Sequence, residues 1–310
     1  MSEQLRQLLA EIGPRWHLDI RHHGDLVKSA YAPLLAAAPK AGVEVQWDLR
    51  YGLNSRHVLD LYVPEGASLP KRPAAKPPAP VIVFVHGGAF IRGEKSSSHG
   101  MYDNVMYWFA RHGFVGVNLE YRLAPEAPFP GAVDDVASGL DWVAKEIASY
   151  GGDPSRVLLI GHSAGGTHVA SYAFDPLLGY LGRHARAVVL LSARLRADRS
   201  PDNPNAAGVV AYFGESMSQY EVRSPMAYAA CNDVPTFIVT AEFDNPMLDV
   251  YGLEFAHRIG LAHRRAPRYL SLRGHNHVSM LAHFNTPEEF LGFEILDFFA
   301  HACQSGVTSD

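Results

Sequence analysis

Short, nearly unbroken apolar runs recur along the chain, separated by longer stretches with helical spacing. They are "PVIVFVHGG" from Pro80, "GFVGVNLEYR" from Gly113, "RVLLIGHS" from Arg156, "ARAVVLLSA" from Ala185 and "PTFIVTAEFD" from Pro235. A run that is apolar at almost every position has no face to give to water, so it suits a strand covered on both sides. Such strands alternating with helices predict an α/β architecture, a mostly parallel central sheet flanked by helices. Two earlier runs, "EVQWDLRYG" and "HVLDLYVP", alternate polar with apolar residues and are expected as antiparallel strands at the edge of that sheet.

Between the strands, "GAVDDVASGLDWVAKEIASYG" sets Val133, Val136, Leu140, Val143 and Ile147 three and four residues apart, the stripe of an amphipathic helix. "YDNVMYWFARHG" predicts another helix, closed by Gly113. Residues 71–80, "KRPAAKPPAP", are too proline-rich for a helix or an interior strand and predict an exposed loop. Residues 1 to about 42 look helical, and residues 196–233 interrupt the strand-helix rhythm. Both are expected to cap the C-terminal edge of the sheet, where α/β proteins take their ligands. A chain of 310 residues, 47% hydrophobic, is expected to form one elaborated domain.

The formal net charge of -5 and the scatter of the 27 Lys and Arg residues argue against a nucleic-acid partner. No run reaches the roughly 18 apolar residues of a membrane span, and the N-terminus lacks the pattern of an export signal. Cys231 and Cys303 form no CxxC pair and lie beside no His cluster at metal-ligand spacing. Free thiols, no metal and a cytoplasmic location are the expectation. The stretch "GFEILDFFAHAC" would serve as a core helix or as a homodimer surface, and its helical spacing favours the core.

The chemistry is concentrated in Gly161-His162-Ser163-Ala164-Gly165, placed directly after the strand "RVLLI" and before a plausible helix, "GTHVASYAF". That context is what a nucleophile elbow needs: glycines relieve the crowding around a serine held in a strained conformation with its hydroxyl exposed. A serine needs a base, and the base needs a carboxylate to orient it. Asp244 follows the strand "PTFIVTAEF", with Glu242 and Asp249 as neighbouring alternatives and a helix N-cap as a purely structural role. For the base, "GHNHVS" offers both His275 and His277. Donors for a developing oxyanion come from "HGGAF", where Gly87 and Gly88 follow an apolar strand, and from the N–H of Ala164 at a helix N-terminus. His86 is expected to brace that loop.

Taken together, "HGGAF", "YRLAPEAPFPGAVDDV", "GGDPSRVLLIGHSAGG" and the late Asp and His resemble the hormone-sensitive-lipase-like branch of the α/β-hydrolase esterases, over about residues 80–300. The resemblance implies the α/β-hydrolase fold with a helical cap and a triad of Ser163, Asp244 and His277. It also implies oxyanion donors from Gly88, Ala89 and Ala164 and no cofactor. This chain departs from the family in having Ala89 where a third glycine is usual and His162 where an acidic residue is usual. The expected activity is hydrolysis of small to medium apolar or aromatic carboxylic esters through an acyl-enzyme, with Phe90, Tyr212, Phe213, Met217 and Met280 as candidate pocket residues. Tyr220, Tyr228 and Phe284 are further apolar candidates. An amidase or arylformamidase with the same triad is the alternative, and a non-catalytic small-ligand receptor is the reading from a different class.

Overall fold

The computed structural model describes residues 3–66, 77–97 and 100–304. Most of the proline-rich loop expected at 71–80 lies outside the described residues. The strands are β1 (Val43–Arg50), β2 (Val58–Pro64), β3 (Ala79–Val85), β4 (Val115–Leu119), β5 (Gly152–His162), β6 (Ala187–Leu191), β7 (Thr236–Phe243) and β8 (Arg268–Asn276). They form one 8-stranded sheet in the order β1-β2-β4-β3-β5-β6-β7-β8. β1 and β2 pair antiparallel, as do β2 and β4, and every pair from β4 through β3 to β8 is parallel.

The near-continuous apolar runs are the inner strands. All residues of β4 and β6 are buried, as are the last five of β3. β1 is an edge strand, but β2 is not: it lies one strand in, with its central residues buried. Its polar residue explains the alternation, because Asp60 is fully buried and pairs with Lys95 Nζ at 2.7 Å. An acid can sit inside a sheet when a cation follows it there.

Two apolar layers cover the sheet. One contains α4 (Gly131–Glu146) and α5 (Ala164–Phe174). In it Val133, Val136, Leu140, Val143 and Ile147 are all completely buried. The other contains α3 (Asp103–Arg111) and α10 (Phe290–Gln304). Gly292 of α10 lies against the Trp108 indole so closely that a methyl group there would fall 2.4 Å from the ring. With Leu291, Ile295, Phe298 and Phe299 also buried, α10 is a core helix. Among the described residues no helix is long and apolar enough to cross a membrane.

A third, smaller cluster joins α1 (Glu3–Ile12), the 3-10 turn Gly13–Leu18 and α2 (Ile20–Ala36) around Trp16, Val27 and Tyr31. Phe243 and Val278 pack against it from the far ends of β7 and β8. After β6 come α6 (Ala206–Phe213) and α7 (Tyr220–Arg223). α8 (Leu248–His263) follows β7, and α9 (Ser279–Ala282) follows β8.

Candidate active site

The parallel strands deliver their C-terminal ends to one side of the molecule, and the candidate residues sit there. β5 ends at His162 and α5 starts at Ala164, so Ser163 alone makes the turn between them. Its φ of 55° and ψ of -118° are a conformation that L-residues adopt only when the surroundings impose it. The neighbouring glycines show what imposes it. A methyl on Gly165 would fall 2.2 Å from the Val85 carbonyl oxygen, and one on Gly161 would fall 2.5 Å from the Gly165 oxygen. The elbow can therefore press against β3 only without those side chains.

Ser163 Oγ lies 3.1 Å from His277 Nε2, and His277 Nδ1 lies 2.7 Å from Asp244 Oδ1. The three side chains come from the ends of β5, β7 and β8 and meet in one hydrogen-bonded row. Asp244 does not cap a helix, since α8 begins only at Leu248 after Met247. Its carboxylate is held on both oxygens. Oδ1 also accepts the Asn245 N–H at 2.8 Å, while Oδ2 accepts the Ala241 N–H at 3.2 Å and the Ser192 hydroxyl.

The competing residues lie elsewhere. His275 is buried between Glu288 Oε1 at 2.8 Å and Ser279 Oγ at 3.1 Å. Glu242 is exposed and accepts the Gly274 N–H, and Asp249 is exposed on the first turn of α8.

Of the four expected oxyanion donors, no acceptor among the described residues takes the N–H of Gly88, Ala89 or Ala164. Burial raises the pKa of the neighbouring Tyr102 phenol, and the backbone of Gly87 offsets part of that rise. The loop that carries Gly88 and Ala89 is braced from beneath. His86 Nδ1 is 2.7 Å from the Gly87 carbonyl and its Nε2 is 3.2 Å from Glu120 Oε1. Burial pushes the Glu120 carboxyl up, but His86, the Lys95 N–H and Arg56 together hold it below its ordinary value. Tyr121 stacks on the His86 ring, 4.3 Å between centroids, and donates its hydroxyl to the His86 carbonyl at 2.7 Å. Arg122 is fixed to Asp135 of α4 at 2.6 Å, and the Ala124 N–H donates to the Phe90 carbonyl at 2.9 Å. The "YRLAPE" stretch is thus a fastener for the loop that carries Gly88 and Ala89.

The chain matches the BD-FAE family model over residues 59–184. The carboxylesterase NlhH of Mycobacterium tuberculosis is 40% identical over 99 residues, 30% of this chain and 28% of that protein. The probable isoprenylcysteine alpha-carbonyl methylesterase ICMEL1 of Arabidopsis thaliana is 35% identical over 127 residues, 41% of this chain and 24% of that protein. The chain thus spans about a quarter of the length of these curated relatives. A solved structure of esterase B from Lactobacillus rhamnosis superposes with a TM-score of 0.72 over 99% of this chain and 98% of that one, at 18% identity. The esterase of Pyrobaculum calidifontis superposes with a TM-score of 0.69 over 99% and 100%, at 22% identity. The chain has the α/β-hydrolase fold.

Within this α/β-hydrolase fold, His162 has its Nε2 3.1 Å from the His277 carbonyl, and the two rings lie 4.7 Å apart. Burial, followed by the neighbouring His277, drives His162 well below the ordinary histidine range. It is therefore a neutral donor that holds the backbone of His277.

The expected pocket residues divide. Phe90, Tyr212, Phe213 and Met280 are all 2% exposed or less, whereas Met217 is 59% exposed. Phe90 and Tyr212 stack nearly parallel with centroids 4.9 Å apart, and Phe213 meets Phe90 edge-on. They pack into one another beside the loop that carries Gly88 and Ala89. α6 is pinned there as well, because a methyl on Gly208 would fall 2.1 Å from the Ala89 carbonyl oxygen. Replacing Gly208 with alanine should therefore destabilise the fold by about 1–3 kcal/mol through overpacking and lower ester turnover with it. Thermal denaturation and initial rates on the same sample check both effects.

Sequence reasoning passed over Ser192, Tyr102, Trp16 and Asn245. Ser192 sits at φ 43° directly after β6, a position that its hydroxyl role explains but that its letter does not announce.

Proposed function

We propose that this protein is a serine carboxylic-ester hydrolase in which Ser163 is the nucleophile, His277 the general base and Asp244 the residue that orients it. The observation that carries this reading is the unbroken row from Ser163 Oγ through His277 to Asp244, at 3.1 and 2.7 Å. The names of the curated relatives, a carboxylesterase and a methylesterase, support ester chemistry.

Ser163 Oγ attacks the ester carbonyl while His277 Nε2 takes its proton. The carbonyl oxygen becomes an oxyanion held by the N–H groups of Gly88, Ala89 and Ala164. The C–O bond to the alcohol then breaks, and His277 returns the proton to the leaving oxygen. Water enters, gives a proton to His277 and attacks the acyl-serine, releasing the acid and restoring Ser163. Asp244 accepts the Nδ1–H throughout and stabilises the transient imidazolium.

The segments expected as a cap, residues 1 to about 42 and 196–233, cover the site in this reading, the second through the contact of α6 with the loop of Gly88 and Ala89. The filling of that region by Phe90, Tyr212 and Phe213 favours short acyl groups. The test is turnover of p-nitrophenyl esters from acetate to laurate, beside an aromatic amide and an N-formyl aromatic amine. Rates that peak at the short esters support the proposal. Dominant turnover of the amide or formamide would transfer the same machinery to a different substrate class.

A further inference from the structure

Residues 1 to about 42 were expected to cap the site, and the helices of that segment also contact the elements that carry the acid and the base. The 3-10 turn Gly13–Leu18 packs against β7 and β8, and α2 packs against α9. Gly13 lies so close to the Phe243 ring that a methyl group there would fall 2.4 Å from it, and Gly24 lies beside Val278. Phe243 immediately precedes Asp244, and Val278 immediately follows His277. The same segment therefore touches the neighbours of both the acid and the base.

A polar bond also crosses this contact. Trp16, 2% exposed, donates its indole N–H to Asn245 Oδ1 at 2.8 Å. Asn245 is itself buried, and its backbone N–H donates to Asp244 Oδ1, the oxygen that faces His277 Nδ1. The path from indole to imidazole is continuous. A buried amide whose oxygen is held cannot turn without leaving a polar atom unpaired. The peptide N–H that aims at Asp244 is fixed along with it.

We infer that Trp16 is a positioning residue for the proposed triad, acting through Asn245 to hold the Asp244 carboxylate against His277, so that the N-terminal segment sets the reactivity of Ser163 and does not merely roof it. The inference rests on the esterase reading for the roles of Ser163, His277 and Asp244. A carboxylate allowed to drift from Nδ1 leaves the imidazole free to rotate, and small displacements of this kind lower rates steeply.

The test is the rate at which a fluorophosphonate labels Ser163 in wild type, Trp16→Phe, Asn245→Ala and the double variant, with Val27→Ala as the control. Val27 is completely buried in the same apolar cluster and, being aliphatic, takes no part in the side-chain hydrogen bonds of this path. The expected result is that Trp16→Phe and Asn245→Ala each slow labelling by about tenfold. The double variant is then no slower than either single one, because they interrupt one path. KM for a short ester stays within about twofold, and the downfield proton resonance of the His277 Nδ1–H broadens or is lost. Val27→Ala lowers the unfolding temperature but labels at the wild-type rate.

Labelling of Trp16→Phe at the wild-type rate overturns the inference, as does an equal slowing in Val27→Ala, which would reduce Trp16 to ordinary packing. If Trp16→Phe fails to fold, Asn245→Ala decides alone, since it removes the acceptor and keeps the backbone N–H. A wild type that does not label at Ser163 defeats the esterase reading, and this inference falls with it.

Discussion

Replacing Ser163 with alanine should lower ester turnover by about 10³- to 10⁶-fold while leaving the fold in place. The chemical half follows from the geometry: without Oγ, His277 has no proton to accept and no covalent intermediate forms. The structural half follows from what Ser163 does otherwise. Its backbone N–H donates to the Leu191 carbonyl at 2.9 Å, a bond that alanine keeps, and its hydroxyl is partly open to solvent. The unfolding temperature should therefore stay within a few degrees of wild type. Initial rates, fluorophosphonate labelling and a thermal melt on the same preparation check all three statements. Residual turnover within tenfold of wild type would point to another nucleophile. Ser279 also has a histidine and a carboxylate in series, through His275 and Glu288, but it is completely buried and no ester can reach it.

The second large effect concerns acid. His168 and His283 are almost completely buried, and burial pushes each of them down to about 3. His86 adds to the shift of His168, and His275 adds to that of His283. The unfolded chain has both near the ordinary 6.5, so below that pH it binds protons that the folded chain refuses. Stability from these groups is complete above pH 6.5 and declines as the pH falls toward 3. The slope is about 1.4 kcal/mol per pH unit for each histidine. Between pH 6.5 and 5 the two together remove about 3 kcal/mol, a large part of the stability of an ordinary domain. His162 adds to the loss in the same direction. Urea midpoints measured between pH 7.5 and 5 should fall steeply.

His168→Phe separates this effect from general acid unfolding. Both nitrogens of His168 lack a partner, and the ring is enclosed by Phe90, Tyr121 and Tyr212. A phenyl ring fits that surrounding and removes a titrating group, so the variant should be more stable than wild type at pH 7 by about 1–3 kcal/mol. Its stability should also fall less steeply with acid, by about 1.4 kcal/mol per unit. An unchanged pH slope would remove His168 as a source of acid lability.

The inner sheet was legible in the sequence because β3 through β7 are apolar on both faces, and hydrophobic continuity is a local signal. The rank of β2 was not legible, since Asp60 mimics a solvent-facing position and its cation, Lys95, sits far along the chain. Ser163, Asp244 and the pair His275 and His277 could be found because each follows a recognisable strand. Which histidine faces the serine depends on a tertiary contact that spacing alone does not encode. The aromatic residues around Phe90 invite reading as a pocket, and their stacking into one another is a property of the folded arrangement. Trp16 and Asn245 carry no local signature at all, because their meaning lies in a bond that spans 229 positions.

That span has a consequence for how the protein is made. Translation delivers α1 and α2 before β7, β8 and α9, which build the surface on which they settle. Until then Leu5, Leu9, Ile12, Trp16 and Val27, all buried in the finished molecule, have no docking surface. The nascent chain must carry these apolar faces until those later strands have formed, which makes the segment a natural client for chaperones and a target for proteases.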